Sequence, residues 1–354
     1  MRLQHAEYTT VEILTHALVA LILARAGQTI LPRHGAAMLV VSGVAADLDF
    51  ASYFFGPSAF LRFHRGALHS VPCSIVLLCT IALAFWVVAR PLAATDSDSR
   101  FRPLSFVAAL VVCAVGVATH MLLDLGSGIG VQLLWPFRQR WAAWSLLSNL
   151  DPWIVGLLGS ALLLPEVFRL VSEEIGERAK NPRGQRAAII ALLLLIIYVG
   201  ARAGLHSRAI DELNSRDYRG APPLATGAFP SALSPFAWRG VVSTDNAIEV
   251  LEMSLAPGAA FDPDRAAPHY KPEDSAALQA AENTPAAKTF LRYACFPLAS
   301  LEREDEGYQF TLRDLRFASS DNSADNIIVR VELTTSLGVA RHEFRYANSA
   351  NREQ

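Results

Sequence analysis

Between residues 10 and 203 the chain is a succession of apolar runs, each near the length of a bilayer crossing and separated by short polar stretches. A hydrocarbon core is spanned by about 20 helical residues, and a backbone in lipid must satisfy its own hydrogen bonds, which a helix does. Six segments fit: Val11–Leu31, Ala36–Phe55, Val71–Ala89, Leu104–Leu123, Trp153–Val171 and Ala187–Ala201. The first and last are short, and Pro165-Glu166 is expected to break the fifth. A polar linker, Ala94–Pro103, separates the third from the fourth. Overall, 52% hydrophobic and 18% charged residues with a mean hydropathy of +0.28 are outside the range of ordinary soluble proteins.

After residue 203 the composition changes. Pro222-Pro223, Pro230 and Pro235 mark 204–240 as a Pro-rich connector. Alternation at Tyr308–Phe317, Ile327–Thr334 and His342–Tyr346 predicts strands in a soluble, mostly antiparallel domain over 241–354. The expected fold class is therefore a mainly α membrane domain over 1–203, a helical bundle of about six segments, followed by a small β-rich soluble domain.

A net charge of −2 and a pI near 6.5 give no nucleic-acid footprint. The four cysteines form no CxxC or disulfide pattern. The N-terminus has no small-residue cleavage site after its first apolar run, so that segment is expected to remain. Basic residues divide unequally between the two sets of loops. Arg25, Arg33, Arg90, Arg100, Arg102, Arg169, Arg178, Lys180, Arg183 and Arg186 fall in one set; Arg2, Arg62, Arg65, Arg138 and Arg140 fall in the other. The positive-inside rule places the richer set in the cytoplasm. His16, the 47–69 region, His120, Asp124 and the soluble domain then share the outer face of the cytoplasmic membrane. Trp135, Trp141, Trp144 and Trp153 suit a headgroup belt on that face.

The chemistry collects there. His120 and Asp124 are four apart on an apolar helix and share one face, the way a helix offers two ligands to one metal ion. A charged Asp at mid-helix costs about 2.5–3.5 kcal/mol on insertion scales. The plainer account is a His–Asp hydrogen bond within the bundle. Asp47 and Asp49 point about 200° apart on an unbroken helix, so both serve one ion only if the helix ends there. Asp49 is the better candidate ligand, with Asp47 a second ligand or a carboxylate orienting an imidazole. His64 and His69 are spaced for a loop, and His16 lies on the first apolar segment. Arg65 and Ser70 are placed to contact an anionic substrate, although an interfacial arginine also snorkels.

Seven residues thus form the candidate ligand set: His16, Asp47, Asp49, His64, His69, His120 and Asp124. Mixed imidazole and carboxylate ligands suit zinc or manganese with open positions. The chain has no GxSxG, P-loop or HExxH, which leaves hydrolysis by metal-activated water. Thr15-His16, Ala46-Asp47-Leu48-Asp49, His64-Arg65-Gly66 with His69-Ser70, and His120 to Asp124 followed by Trp135-Pro136 and Asp151-Pro152-Trp153 resemble the YdjM-like family of predicted membrane-bound metal-dependent hydrolases. The resemblance covers residues 10 to about 200, and Asp314-Leu315-Arg316-Phe317 is similar too.

More distantly, the order of these residues resembles zinc-dependent phospholipase C and the related single-strand nucleases. That resemblance implies one ion held by Asp49, His64 or His69, His120 and Asp124, with His16 near a second ion that Asp124 bridges. Those enzymes also use a later His and a His-x-x-x-Glu pair, which this sequence lacks, so one or two ions are expected. The expected activity is hydrolysis of a phosphoester in a lipid or lipid-linked substrate, with Asp49, Arg65, His69 and Ser70 as catalytic candidates. The rival readings are an ion transporter whose path the cluster lines, and a membrane anchor presenting the β-rich tail to a partner.

Overall fold

The computed structural model describes residues 2–93, 104–174, 184–317 and 326–346. The Ala94–Pro103 linker and four of the basic residues used for topology, Arg100, Arg102, Arg178 and Lys180, lie outside the described residues, as does Arg183. Seven helices open the chain: α1 (Arg2–Ala26), α2 (Gly35–Val44), α3 (Pro57–Phe63), α4 (Val71–Ala93), α5 (Phe106–Gly126), α6 (Pro152–Glu174) and α7 (Gln185–Asn214). Five stretches are long and apolar enough to cross a membrane: Gly35–Phe55, Val71–Val88, Phe106–Gly126, Pro152–Leu170 and Gln185–Asn214. Ile13–Ala26 is a shorter apolar helix.

The bundle is built inside out relative to a soluble protein. Ile75, Val76, Val107, Val111, Ile196 and Ile197 are exposed on its outside, while His16, Asp47, His69, His120 and Asp124 are buried. Lipid is the solvent that makes this arrangement favourable.

Local chemistry sets the helix ends. Ser105 caps α5 by accepting the Ala108 amide at 3.1 Å. Asp151 caps α6 by accepting the amides of Trp153 and Ile154, with Pro152 at the first helical position. Helices α2 and α5 touch through small residues. A Cβ built on Gly116 would lie 2.9 Å from the Leu39 carbonyl and 3.1 Å from the Gly43 amide, and would collide with the Ser42 hydroxyl.

Three expectations need correction. Helix α6 runs unbroken through Pro165; in a membrane helix the freed carbonyl is tolerated, and Pro does not end the segment. The second apolar segment is not one α-helix, because after Val44 it tightens into a 3₁₀ helix, Ala45–Phe55. The last apolar segment does not stop near Ala201 but continues to Asn214. Leu205, Ala209 and Leu213, four apart, carry a helical stripe against Trp238 and Leu251. The 204–240 stretch therefore contains the end of α7, strand β1 (Ala225–Pro230) and the start of β2 (Ala237–Ser243).

The C-terminal region holds two four-stranded antiparallel sheets. β1, β2, β3 (Ala247–Ser254) and β4 (Ala267–Tyr270) form the first in chain order. β5 (Pro297–Glu304), β6 (Gly307–Asp314), β7 (Ile327–Thr334) and β8 (Val339–Tyr346) form the second. In β7, buried and half-buried residues alternate strictly, as period-two patterning requires. Between the sheets lie α8 (Ala276–Glu282) and α9 (Pro285–Tyr293). Phe290, Phe310, Val329 and Val331 share one core with Phe60, Leu61 and Ile129 of the helical region. The second sheet is thus seated on the bundle end that carries the 3₁₀ helix and α3.

Candidate metal centre

Four places in the sequence converge at that bundle end. His16 comes from α1, Asp47 and Asp49 from the 3₁₀ helix, His64, Arg65 and His69 from the turn before α4, and His120 with Asp124 from α5. The 3₁₀ coil resolves the problem of the two acids. They need not face the same point, because each serves different histidines.

Asp47 Oδ2 lies 3.1 Å from His16 Nδ1. Asp49 Oδ2 accepts from His69 Nδ1 at 2.9 Å and from the Arg65 amide at 2.9 Å, and its Oδ1 lies 3.2 Å from His64 Nδ1. Arg65 adopts a left-handed backbone, φ 52°, which delivers that amide, at a cost of about 1 kcal/mol for a non-glycine residue.

For neutral rings these contacts set the tautomers. With Nδ1–H of His69 donated to Asp49, and Nδ1–H of His120 donated to the Gly43 carbonyl at 2.8 Å, both Nε2 atoms are left as acceptors. They face each other at 3.0 Å. Asp124 Oδ2 completes the triangle, 3.0 Å from His69 Nε2 and 3.2 Å from His120 Nε2. Ligands about 2.0–2.2 Å from a tetrahedral zinc sit roughly 3.3 Å apart, so the triangle has the size such an ion requires. A second group, His16, Asp47 and His120, has ligand atoms within 4.8 Å of one another, as does the first, His69, His120 and Asp124. His16 Nε2 also approaches Asp124 Oδ1, at 3.4 Å.

Neither Asp124 carboxylate oxygen accepts a well-formed hydrogen bond, although both are buried. A buried carboxylate without hydrogen bonds is expensive, unless a cation sits where the lone pairs converge. The cluster contains three carboxylates, those of Asp47, Asp49 and Asp124, and one guanidinium, that of Arg65. Arg65 Nη2 is 3.2 Å from Asp124 Oδ1 and its Nη1 donates to Ser127 Oγ at 2.5 Å. With neutral imidazoles the cluster is two negative charges in excess, the charge of one divalent ion.

The remaining candidates lie around this centre. His64 stacks on Phe60 with ring centroids 4.3 Å apart, and Asp49 stands between it and the triangle. Ser70 donates to the Ala67 carbonyl and accepts the Cys73 amide, so its hydroxyl starts α4. Arg65 is 1% exposed and is held by Asp124 and Ser127. Sequence reasoning did not find Ser127 or the Gly43 carbonyl. A serine just past a helix end and a backbone oxygen carry no pattern of their own.

A small cavity of about 30 Å³ reaches His16 and Asp124, lined further by Thr15, Ser127, Ser148, Asn149 and Asp151. It gives the centre an approach between α1 and α6. Trp141, one of the expected belt residues, packs edge-on to Tyr293 of the C-terminal region, whereas Trp144 and Trp153 are exposed.

Comparison with known proteins follows the same division of the chain. The "Uncharacterized protein YfhP" of Bacillus subtilis (strain 168) is 27% identical over 110 residues, covering 31% of this chain and 30% of that protein. No solved structure matches. The model of the YdjM inner membrane protein family matches residues 11–208, which include every residue of the His/Asp cluster and all of the helical bundle but its two ends. The chain therefore belongs to the YdjM inner membrane protein family and is an integral inner-membrane protein.

Proposed function

We propose that this protein is a metal-dependent hydrolase of the inner membrane, acting on a phosphoester of a lipid or lipid-linked substrate. The observation that carries the reading is Asp124, a buried carboxylate ion-paired with Arg65 but without a well-formed hydrogen bond, set against the Nε2 atoms of His69 and His120. His69, His120 and Asp124 would hold a divalent ion, zinc or manganese, and His16 with Asp47 would hold a second where two are taken up. Such an ion supplies water activation near neutral pH and charge stabilisation for a phosphoryl oxygen.

The rest is done by the chain. Asp49 keeps Nδ1 of His69 protonated and so aims Nε2 inward. Arg65 offsets the charge of Asp124. The small cavity beside His16 has room for water next to the centre. We place this centre and the C-terminal sheets on the outer face, on the strength of the basic-residue asymmetry.

The test is elemental analysis and phosphodiesterase assay of detergent-purified wild type beside Asp124→Ala. Zinc or manganese in the wild type and its loss with activity in the variant are expected. A metal-free wild type after loading, or full hydrolysis by the variant, overturns the reading.

A further inference from the structure

The C-terminal region lies beyond the family match, yet one of its side chains reaches the turn that carries the metal centre. Arg316 is 3% exposed and uses all three guanidinium nitrogens. Nε donates to Asp314 Oδ2 at 2.7 Å, Nη2 to the Tyr293 carbonyl at 3.1 Å and Nη1 to the Gly128 carbonyl at 3.0 Å. Asp314 is itself fixed by the amides of Cys295, Phe296 and Arg316. The fork is therefore rigid before it meets Gly128.

Gly128 follows Ser127, whose hydroxyl accepts from Arg65 and from the Gly130 amide and donates to the Asp124 carbonyl at 2.8 Å. Arg65 in turn faces Asp124 Oδ1. Three polar contacts and one peptide link thus join a C-terminal arginine to the central carboxylate.

We propose that Arg316 is a positioning residue for the metal centre, holding the Gly128 turn so that Ser127 and Arg65 keep Asp124 aimed at its partners. This rests on the metal reading above. It also gives the C-terminal sheets a role, since they complete a site whose ligands all come from the bundle. A point-charge ammonium cannot replace the planar fork.

The experiment uses the full chain in detergent, with zinc affinity measured by chelator competition and amide hydrogen exchange measured at Ser127, Gly130 and Val131. Arg316→Gln is expected to weaken zinc binding about 10- to 100-fold, the range for groups that orient ligands, and to speed exchange at those amides. Arg316→Lys, which keeps a charge beside Asp314, supplies the same readouts should the glutamine variant fail to fold. Leu333→Ala, a cavity in the second sheet, is expected to lower the melting temperature without changing zinc affinity. Wild-type affinity in both Arg316 variants, or an equal loss in Leu333→Ala, overturns the proposal. A wild type that binds no zinc sinks the metal reading alone; unchanged exchange in the Arg316 variants then sinks the coupling.

Discussion

The Nε2 atoms of His69 and His120 approach to 3.0 Å with their opposite nitrogens both committed to acceptors. Two lone pairs at that distance repel unless a cation lies between them, so metal should stabilise the folded protein. Zinc at 100 times its dissociation constant is expected to add about 2.7 kcal/mol to wild type and nothing to His120→Ala. Thermal melts with and without zinc check this.

Asp49 and Asp124 are both carboxylates of the cluster, but they should respond differently to amidation. Asp49 orients His69 and His64 from behind, so Asp49→Asn is expected to cost about 10- to 100-fold in metal affinity. Asp124→Asn should abolish binding. Equal effects in a chelator competition would contradict the assignment.

The crossing of α2 and α5 leaves no room for a side chain at Gly116. Overpacking of this kind costs about 1–3 kcal/mol, and more when backbone must move. Gly116→Val is expected to lower the melting temperature and to reduce metal content, because Gly43, whose carbonyl holds His120, lies in the same contact. Gly159→Val, at a position open to the outside, serves as the control.

Glu249, in β3, is 1% exposed with one carboxylate oxygen unbonded. Burial raises its pKa above the ordinary glutamate value, and Arg219 beside it only partly offsets the rise. The folded form therefore binds the proton more tightly than the unfolded form. Stability contributed at this position falls as pH rises from the ordinary value of 4.5 through the raised one. Glu249→Gln removes the dependence. It should melt higher than wild type at pH 8, by on the order of 1 kcal/mol, and lose that advantage near pH 4.

Orientation can be read directly. A reporter fused to the C-terminus that is active only outside the cytoplasm should be active, and one inserted at Thr29 should not. The reverse pattern would turn the centre and the sheets to the inner face.

Much of this was legible because membrane chemistry is written plainly in sequence. Apolar runs give the bundle, and His or Asp within them stands out against its own cost. Strands β6, β7 and β8 follow from alternation at Tyr308–Phe317, Ile327–Thr334 and His342–Tyr346. The break expected at Pro165 fails because lipid tolerates a proline within a helix, and the helix end expected at Ala201 was illegible for another reason. Local propensity yields to packing, and the stripe of Leu205, Ala209 and Leu213 has meaning only once Trp238 is in place. The division of labour between Asp47 and Asp49 depends on a 3₁₀ coil that apolar periodicity does not announce. The resemblance of Asp314-Leu315-Arg316-Phe317 marked Arg316 in the sequence, but its bond to Gly128 is visible only in three dimensions.

The apolar part of α1, residues 13 to 26, rises only about 21 Å at 1.5 Å per residue, against a hydrocarbon layer of about 30 Å. His16 rides in its first turn. Mismatch of this kind is expected to thin the bilayer beside the helix, which would bring water toward the level of the imidazole. On the hydrolase reading proposed above, the scissile bond would meet the cluster near the acyl boundary, below the plane of the surrounding headgroups.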